Sequence, residues 1–345
     1  MKICICGGGN LGHVTAGFFA AQDDLQVSVL TTQPERWTQY LKVVDGHGKT
    51  YRGKLDRISS DAKQVIPGSD IVLVCLPGFA IHDMLCYIAP CLDKKTWVGT
   101  VVASTGFFFE AMKVLPQKQP LFGFQRVPFI SRIINYGHVA ELKGYKESLS
   151  VAVEHTEKKE VVRTTLEKIF KTPTKLLDSY YEASLSNSNP LLHTSRLYTM
   201  WNNWEPGIAY DSNSDFYADW TKEASQLLIS MDEEFQKLLK RIGLREGAIP
   251  SVLSYYESYD ADSLTKKIQS IPAFKGISSP MILNKNGKYE PDLGSRYFTE
   301  DFPYGMRFIV ETAHEYNVAT PIIDEVYQWG IDKCDFYDLQ NAYGI

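Results

Sequence analysis

No two cysteines in this chain stand at a Cys-x-x-Cys spacing, and only six occur in 345 residues: Cys4, Cys6, Cys75, Cys86, Cys91 and Cys334. That argues against a metal site or a dithiol redox motif. Cys4 and Cys6 share one face of a short apolar run and Cys75 lies in another, so they read as buried structural thiols. A reducing compartment follows, most simply the cytoplasm. No apolar run approaches the roughly 18 residues of a membrane helix. Met1-Lys2 leads into a strand and a glycine turn, not into the apolar stretch of a signal peptide, so no membrane partner is expected. Positive charge is short too: a formal net charge of −5 without a basic stripe argues against a nucleic-acid partner. Internal repeats and low-complexity linkers are absent. What remains is ordinary, 44% hydrophobic and 22% charged, in a chain too long for one core and suited to two domains.

The most informative feature is at the start. Lys2-Ile3-Cys4-Ile5-Cys6 is a β-prone run, followed at once by Gly7-Gly8-Gly9-Asn10-Leu11-Gly12 and a helical stretch from His13 to Ala21. Gly7, Gly9 and Gly12 have the G-x-G-x-x-G spacing. The first glycine allows a tight turn, the second lets backbone approach a pyrophosphate, and the third lets helix and strand pack closely. The helix N-terminus presents unpaired N–H groups to the phosphates. Alone the motif is weak, but strand before and helix after make a dinucleotide site the better reading than a ligand-free turn.

Further β-prone runs follow at Gln26 to Leu30 and at Ile71-Val72-Leu73-Val74-Cys75-Leu76, the latter closed by Pro77-Gly78. Thr96 to Val102, Pro120 to Phe124 and Ser148 to Val153 continue the series, with helical stretches between. This alternation predicts a largely parallel, doubly wound α/β sheet of the Rossmann type. Val43 to Arg52, around Asp45-Gly46-His47-Gly48, predicts an inserted hairpin. The second half reads as helix. Phe216, Trp220, Ala224, Leu227, Leu228, Met231, Phe235, Leu238, Leu239 and Ile242 recur at spacings of three and four, predicting one long helix. Ser214 or Asp215 is its expected cap and Gly243 its expected end. Later helices are expected from Asp301-Phe302-Pro303 and from Thr320-Pro321. The domain change is placed near residues 172–182, after the helical run Glu157 to Phe170.

In such a sheet a ligand lies at the carboxyl ends of the strands, and catalytic groups are expected partly from a helical second domain closing over the cofactor. Two segments there are unusual for plain core. In Ser186 to Trp201, Pro190 can start a helix and His193 then falls in its first turns, where an imidazole facing a cleft can exchange protons; a satisfied histidine is the alternative. In Ser295 to Met306, Asp301 could simply cap the helix that Pro303 enters, and Arg296 could be a solvated charge.

Together these segments carry a resemblance. The chain resembles the octopine/nopaline (opine) dehydrogenase family at Met1 to Asn10, Glu35-Arg36-Trp37-Thr38, Phe124 to Ile133 and Asn189-Pro190-Leu191-Leu192-His193. The likeness is strongest at Arg296 to Met306, and it covers nearly the whole chain. It implies domains of 1–176 and 177–345, the second an all-α domain of the 6-phosphogluconate-dehydrogenase C-terminal type. It also implies an NAD(P)H-dependent reductive condensation: an amino acid joins a 2-oxo acid as an imine, which is then reduced to a secondary amine. The family's acid/base histidine and its aspartate partner fall on His193 and Asp301, and a substrate-holding arginine falls on Arg296. Gln125, Arg126, Ser131 and Thr105 are the remaining substrate-contact candidates. Gly7, Gly8, Gly9, Asn10, Leu11, Gly12, Thr31, Arg36, Leu76 and Pro77 are the cofactor candidates. A carboxylate beside His193 would stabilise the imidazolium and fix its tautomer, while an arginine can grip a substrate carboxylate bidentately.

Two departures bear on substrate and cofactor. Gln125-Arg126 stand where octopine-forming members carry an acid and then a small hydroxyl residue, so this pocket is not expected to take a guanidinium. Arg126 either favours a carboxylate or points to solvent or an acid of its own domain. The second strand ends in Thr31-Thr32-Gln33 with Arg36 beyond and lacks the acid that selects a ribose hydroxyl, which leaves NAD and NADP both open. Two other readings share the first-half pattern. A carbonyl-reducing cousin, of the glycerol-3-phosphate dehydrogenase or ketopantoate reductase type, needs a catalytic lysine that the helix around His193 does not offer. A non-catalytic dinucleotide sensor needs no His193–Asp301 pair.

Overall fold

Runs of valine, isoleucine and leucine that alternate with amphipathic stretches bury both faces of a sheet only if helices cover it from both sides. The computed structural model describes residues 1–343 and the side chains of residues 1–338. It divides into a unit of Met1–Ser186 and a second unit from Asn187 onward. The division thus falls ten residues later than the expected 176/177, because the helix Tyr180–Ser184 packs with the first unit.

The first unit contains β1 (Lys2–Cys6), β2 (Gln26–Leu30), β3 (Tyr40–Asp45), β4 (Thr50–Lys54), β5 (Ile58–Ser59), β6 (Ile71–Val74), β7 (Trp97–Thr100), β8 (Leu121–Phe124), β9 (Phe129–Asn135), β10 (Val139–Tyr145), β11 (Leu149–Glu154) and β12 (Thr174–Leu176). Its helices are α1 (Asn10–Ala20), α2 (Ala62–Val65), α3 (Ile81–Ile88), α4 (Phe107–Val114), α5 (Lys159–Phe170) and α6 (Tyr180–Ser184). The main sheet has the order β12-β11-β8-β7-β6-β1-β2-β5. Every neighbouring pair is parallel except β8 with β11. Side chains alternate between its faces as the two-residue strand period demands. Ile3, Ile5, Val27, Val29 and Leu73 enter one core, while Cys4, Cys6, Val72 and Val74 enter the other. The chain leaves β1 towards β2 on one side and returns as β6 on the other, which makes the β1/β6 boundary the switch point.

The expected hairpin exists as β3–β4, its turn held by Asp45 Oδ1, which accepts from the His47 and Lys49 amides, each at 2.9 Å. Its setting was not anticipated. β3 pairs in parallel with β10, giving a second sheet of order β4-β3-β10-β9. Leu41, Val43, Ala140 and Leu142 of this sheet share a core with Phe18 and Phe19 of α1. The helix behind the glycine turn is therefore buried at every position from Gly12 to Phe19.

The second unit contains α7 (Asn189–Trp201), α8 (Lys222–Ile242), α9 (Val252–Tyr255), α10 (Ala261–Ser270), α11 (Arg296–Thr299), α12 (Arg307–Glu315) and α13 (Pro321–Tyr343). It is not purely helical: β13 (Met281–Leu283) and β14 (Tyr289–Pro291) form an antiparallel ribbon. The long helix also starts later than its periodicity suggests. Thr221 is the cap, its Oγ1 accepting from the Ala224 amide at 3.3 Å. Phe216 and Trp220 are buried, yet they precede the helix in a segment pinned by the Phe216 amide donating to Ile277 O at 2.8 Å. Apolar spacing alone cannot separate a helix turn from an irregular segment that buries the same side chains. Gly243 ends α8 in the left-handed conformation, as expected (φ 86°). Among the described residues no helix is long and apolar enough to cross a membrane. All six cysteines are free, with Cys4, Cys6 and Cys75 buried.

Candidate functional site

The glycine turn follows β1 at the switch point. Gly7 has φ 125°, a conformation that L side chains rarely adopt, and an added Cβ there would lie 2.6 Å from Cys75 O. A Cβ on Gly12 would overlap the Gly7 carbonyl oxygen, so helix and strand meet backbone to backbone. A Cβ on Gly9 would meet nothing, leaving open space beside the first turn of α1, whose N–H groups have no carbonyl one turn earlier. These features fit a dinucleotide pyrophosphate.

Two side-chain contacts tie this turn to the β9–β10 hairpin. Asn10 Oδ1 accepts from the Ile133 amide at 2.8 Å, and His13 Nε2 accepts from the Gly137 amide at 2.8 Å. His13 Nδ1 then faces Gly9 O at 3.0 Å, so the ring is the neutral Nδ1–H tautomer. It stacks on Trp37 with centroids 4.0 Å apart. Burial brings its pKa down to about 4 from the ordinary 6.5, against the opposing pull of the Gly9 and Gly8 carbonyls. The folded pKa lies below the unfolded one, so between pH 6.5 and pH 4 the unfolded chain binds a proton that the folded chain refuses. Stability is thus intact above pH 6.5, falls through that window, and loses nothing more to this group below about pH 4. The expected loss is about 3 kcal/mol, measured as the difference in urea unfolding between wild type and His13→Gln across the window. Parallel pH curves for the two proteins would remove His13 from the account.

Around the turn, Thr31 is buried, and its Oγ1 would lie 2.8 Å from a Cβ on Gly8, as Tyr136 Oη would at 2.6 Å. Arg36 is exposed; its Nη1 donates to Gln33 Oε1 at 2.6 Å and its guanidinium lies 4.3 Å from the centre of the Tyr136 ring. Tyr136 was not singled out from sequence, since a tyrosine in a hairpin turn carries no motif. Leu76 and Pro77 follow β6 at the same switch point, and Leu76 Cδ2 would lie 3.0 Å from a Cβ on Gly7. Leu11 and Gly12 complete the first turn of α1.

The substrate candidates of the first unit lie in separate local settings, apart from Arg126 Nη1 donating to Gln125 O at 3.4 Å. Arg126 is exposed and donates to Ser186 O at 2.8 Å and Ser186 Oγ at 3.3 Å, so it neither pairs with an acid nor points freely to solvent. Gln125 Nε2 donates to Glu182 O at 3.2 Å. Thr105 Oγ1 donates to Val102 O at 3.0 Å, and the buried Ser131 Oγ has no protein partner.

In the second unit, Pro190 lies at the start of α7 and His193 one turn later. Asp301 precedes a π-helical turn, Phe302–Met306, that feeds α12. Gly305 of that turn abuts Pro190, where a Cβ would come within 2.6 Å of Pro190 Cγ. This close approach brings two residues 108 positions apart together: His193 Nδ1 and Asp301 Oδ2 are 2.7 Å apart. Asp301 makes no side-chain cap, so the helix-cap alternative is not realised. Against a carboxylate, Nδ1 is the donor, which leaves Nε2 as the nitrogen free to exchange a proton. Nε2 is met by the Tyr217 hydroxyl at 2.9 Å, and the Tyr297 ring stands edge-on to the imidazole at 4.7 Å. Burial, with Tyr297 and Asp301 beside it, pushes the Tyr217 phenol well above its usual range. Tyr217 escaped sequence reasoning because Phe216-Tyr217-Ala218-Asp219-Trp220 reads as core.

Arg296 is placed differently from the expectation of a free substrate clamp. It makes a two-pronged pair with Glu300, Nε to Oε1 at 2.8 Å and Nη2 to Oε2 at 2.7 Å, one turn along the same short helix. That pair holds the guanidinium above its ordinary range. Helical i, i+4 spacing made the contact possible from sequence alone.

Comparison with known proteins agrees with this architecture. Residues 176–334 match the family model described as NAD/NADP octopine/nopaline dehydrogenase, alpha-helical domain. The opine dehydrogenase of Haliotis discus hannai is 28% identical, covering 95% of this chain and 89% of its own. The chain thus resembles octopine/nopaline dehydrogenases along nearly its whole length, and its second half matches their helical domain. The tauropine dehydrogenase of Arabella iricolor, 27% identical over 95% of this chain and 90% of its own, is another such relative. A solved structure of octopine dehydrogenase with NADH and L-arginine superposes with a TM-score of 0.85 at 25% identity, covering 96% of this chain and 89% of that one. The family description names NAD or NADP, and that octopine dehydrogenase structure holds NADH.

Proposed function

We propose that this protein is an opine dehydrogenase, which condenses an amino acid with a 2-oxo acid and reduces the resulting imine with NADH or NADPH. The observation that carries the reading is the partly buried His193–Asp301 pair at 2.7 Å, in a chain whose first unit ends its first strand in a dinucleotide turn. The bound cofactor supplies hydride to carbon. The chain's own residues do the rest. Gly7, Gly9 and Gly12 with the first turn of α1 hold the pyrophosphate, and Thr31, Arg36, Leu76 and Pro77 flank it. His193 exchanges the proton that makes the C=N bond electrophilic, and Asp301 fixes its tautomer and balances the imidazolium.

The two carboxylates of the product call for two cations. Arg296 of the second unit is assigned to a substrate carboxylate by exchanging Glu300 for it, and Arg126 of the first unit, held by Ser186, offers a guanidinium of the same chemistry. Gln125, Ser131 and Thr105 supply neutral polar contacts. With Gln125-Arg126 in place of an acid, the amine substrate is acidic or neutral and not arginine. A cytoplasmic location accords with the six unpaired cysteines.

The test is cofactor oxidation, followed by the loss of reduced-nicotinamide absorbance, with NADH and NADPH crossed against pooled amino acids and 2-oxo acids. Oxidation is expected only when both pools are present. Oxidation with a 2-oxo acid alone would return the protein to the carbonyl-reducing cousins, and cofactor binding without oxidation would make it a sensor.

A further inference from the structure

His193 has one nitrogen left after Asp301 takes the other, and that nitrogen is not open. Tyr217 Oη sits 2.9 Å from Nε2, so a substrate atom reaches the imidazole directly only if the phenol leaves. The ring has little room to do so. Tyr217 is 5% exposed. It stacks face to face on Phe274, with centroids 4.0 Å apart and planes within 15°, and lies nearly parallel to Trp220. Phe216 closes a third side edge-on at 4.9 Å. The backbone is pinned as well, by the Phe216 amide on Ile277 O at 2.8 Å and the Trp220 amide on Tyr217 O at 3.2 Å. Swinging the side chain out would break this aromatic stack.

Resting on the reading above, we infer that the proton exchanged by His193 passes through the Tyr217 hydroxyl, so that Asp301, His193 and Tyr217 act as one relay. In the reducing direction Tyr217 O–H gives its proton to the substrate atom and takes the Nε2 proton of the imidazolium in the same movement. The imidazolium becomes neutral, the phenol ends as it began, and no electrons are transferred within the relay. A hydroxyl suits this task because it donates and accepts through one atom. The raised pKa of the buried phenol agrees with this, since it disfavours a lasting phenolate and couples the two transfers.

Tyr217→Phe keeps the ring and its stack and deletes the hydroxyl. The expected result is a fall in kcat of about 10²-fold or more, with KM for both substrates and NADH binding by fluorescence within about threefold of wild type. A wild-type rate that curves with deuterium fraction in mixed H₂O/D₂O, from two protons in flight, becomes linear in the variant. Nitrogen-15 spectra of His193 should also show a change at Nε2 and not at Nδ1, independent of turnover. An active wild type whose Tyr217→Phe variant matches its kcat across the pH range overturns the relay alone. A wild type inert with every cofactor and substrate pair overturns the opine reading, and the relay with it.

Discussion

Replacing His193 by alanine lowers turnover by about 10²–10⁴-fold, the span that general acid–base groups contribute, and leaves NADH binding unchanged. The separation follows from where the residue sits. His193 belongs to the second unit, bonded to Asp301 and Tyr217, and the glycine turn belongs to the first. Cofactor titration by fluorescence and steady-state kinetics on the same preparation check both halves of the statement. Full activity in the variant would remove His193 from the mechanism. Asp301→Asn should act in the same direction: an amide in place of the carboxylate carries no charge to balance the imidazolium, and its NH₂ can turn towards Nδ1 and disturb the tautomer. Because Asp301 makes no cap bond, melting temperature is not expected to follow activity down.

Gly12→Ala should weaken cofactor binding through packing alone. The new methyl overlaps the Gly7 carbonyl oxygen, so either α1 retreats from β1 or the turn opens. The helix cannot retreat cheaply. It is buried from Gly12 to Phe19, and the Asn10–Ile133 and His13–Gly137 bonds clamp its first turns. The displacement therefore falls on the turn. Overpacking of this kind costs about 1–3 kcal/mol, roughly 5- to 150-fold in Kd if all of it is felt at the site. Gly9→Ala is the control. Its Cβ meets nothing in the protein, so it should leave the melting temperature alone and still weaken NADH binding where backbone must approach the phosphates. Unchanged NADH affinity in both variants would mean that the turn does not hold the cofactor.

Much of the first unit was legible because its signals are local. A strand run, glycines at fixed offsets and a helix lie within the first 20 residues, and each later strand announces itself as a short apolar run. The second sheet was not legible beyond its hairpin, since the pairing of β3 with β10 joins segments nearly a hundred residues apart. Periodicity misplaced the start of α8 for a related reason: Phe216 and Trp220 are buried by tertiary packing and not by helix geometry. Arg296 shows the same limit at the scale of a side chain. Its motif named it as a substrate group, while a neighbouring glutamate one turn away takes both of its prongs.

For the chemistry, the residue types and their motifs could name a histidine, an aspartate and a glycine turn without any coordinates. What needed the folded chain was their company: a glycine small enough to let the π-helical turn press on Pro190, which sets Asp301 against one ring nitrogen, and a caged tyrosine against the other. The reason is physical. Backbone preference and hydrophobic period act over a few residues and are written in order along the chain, whereas a hydrogen bond between distant side chains depends on how several packed elements come to rest together.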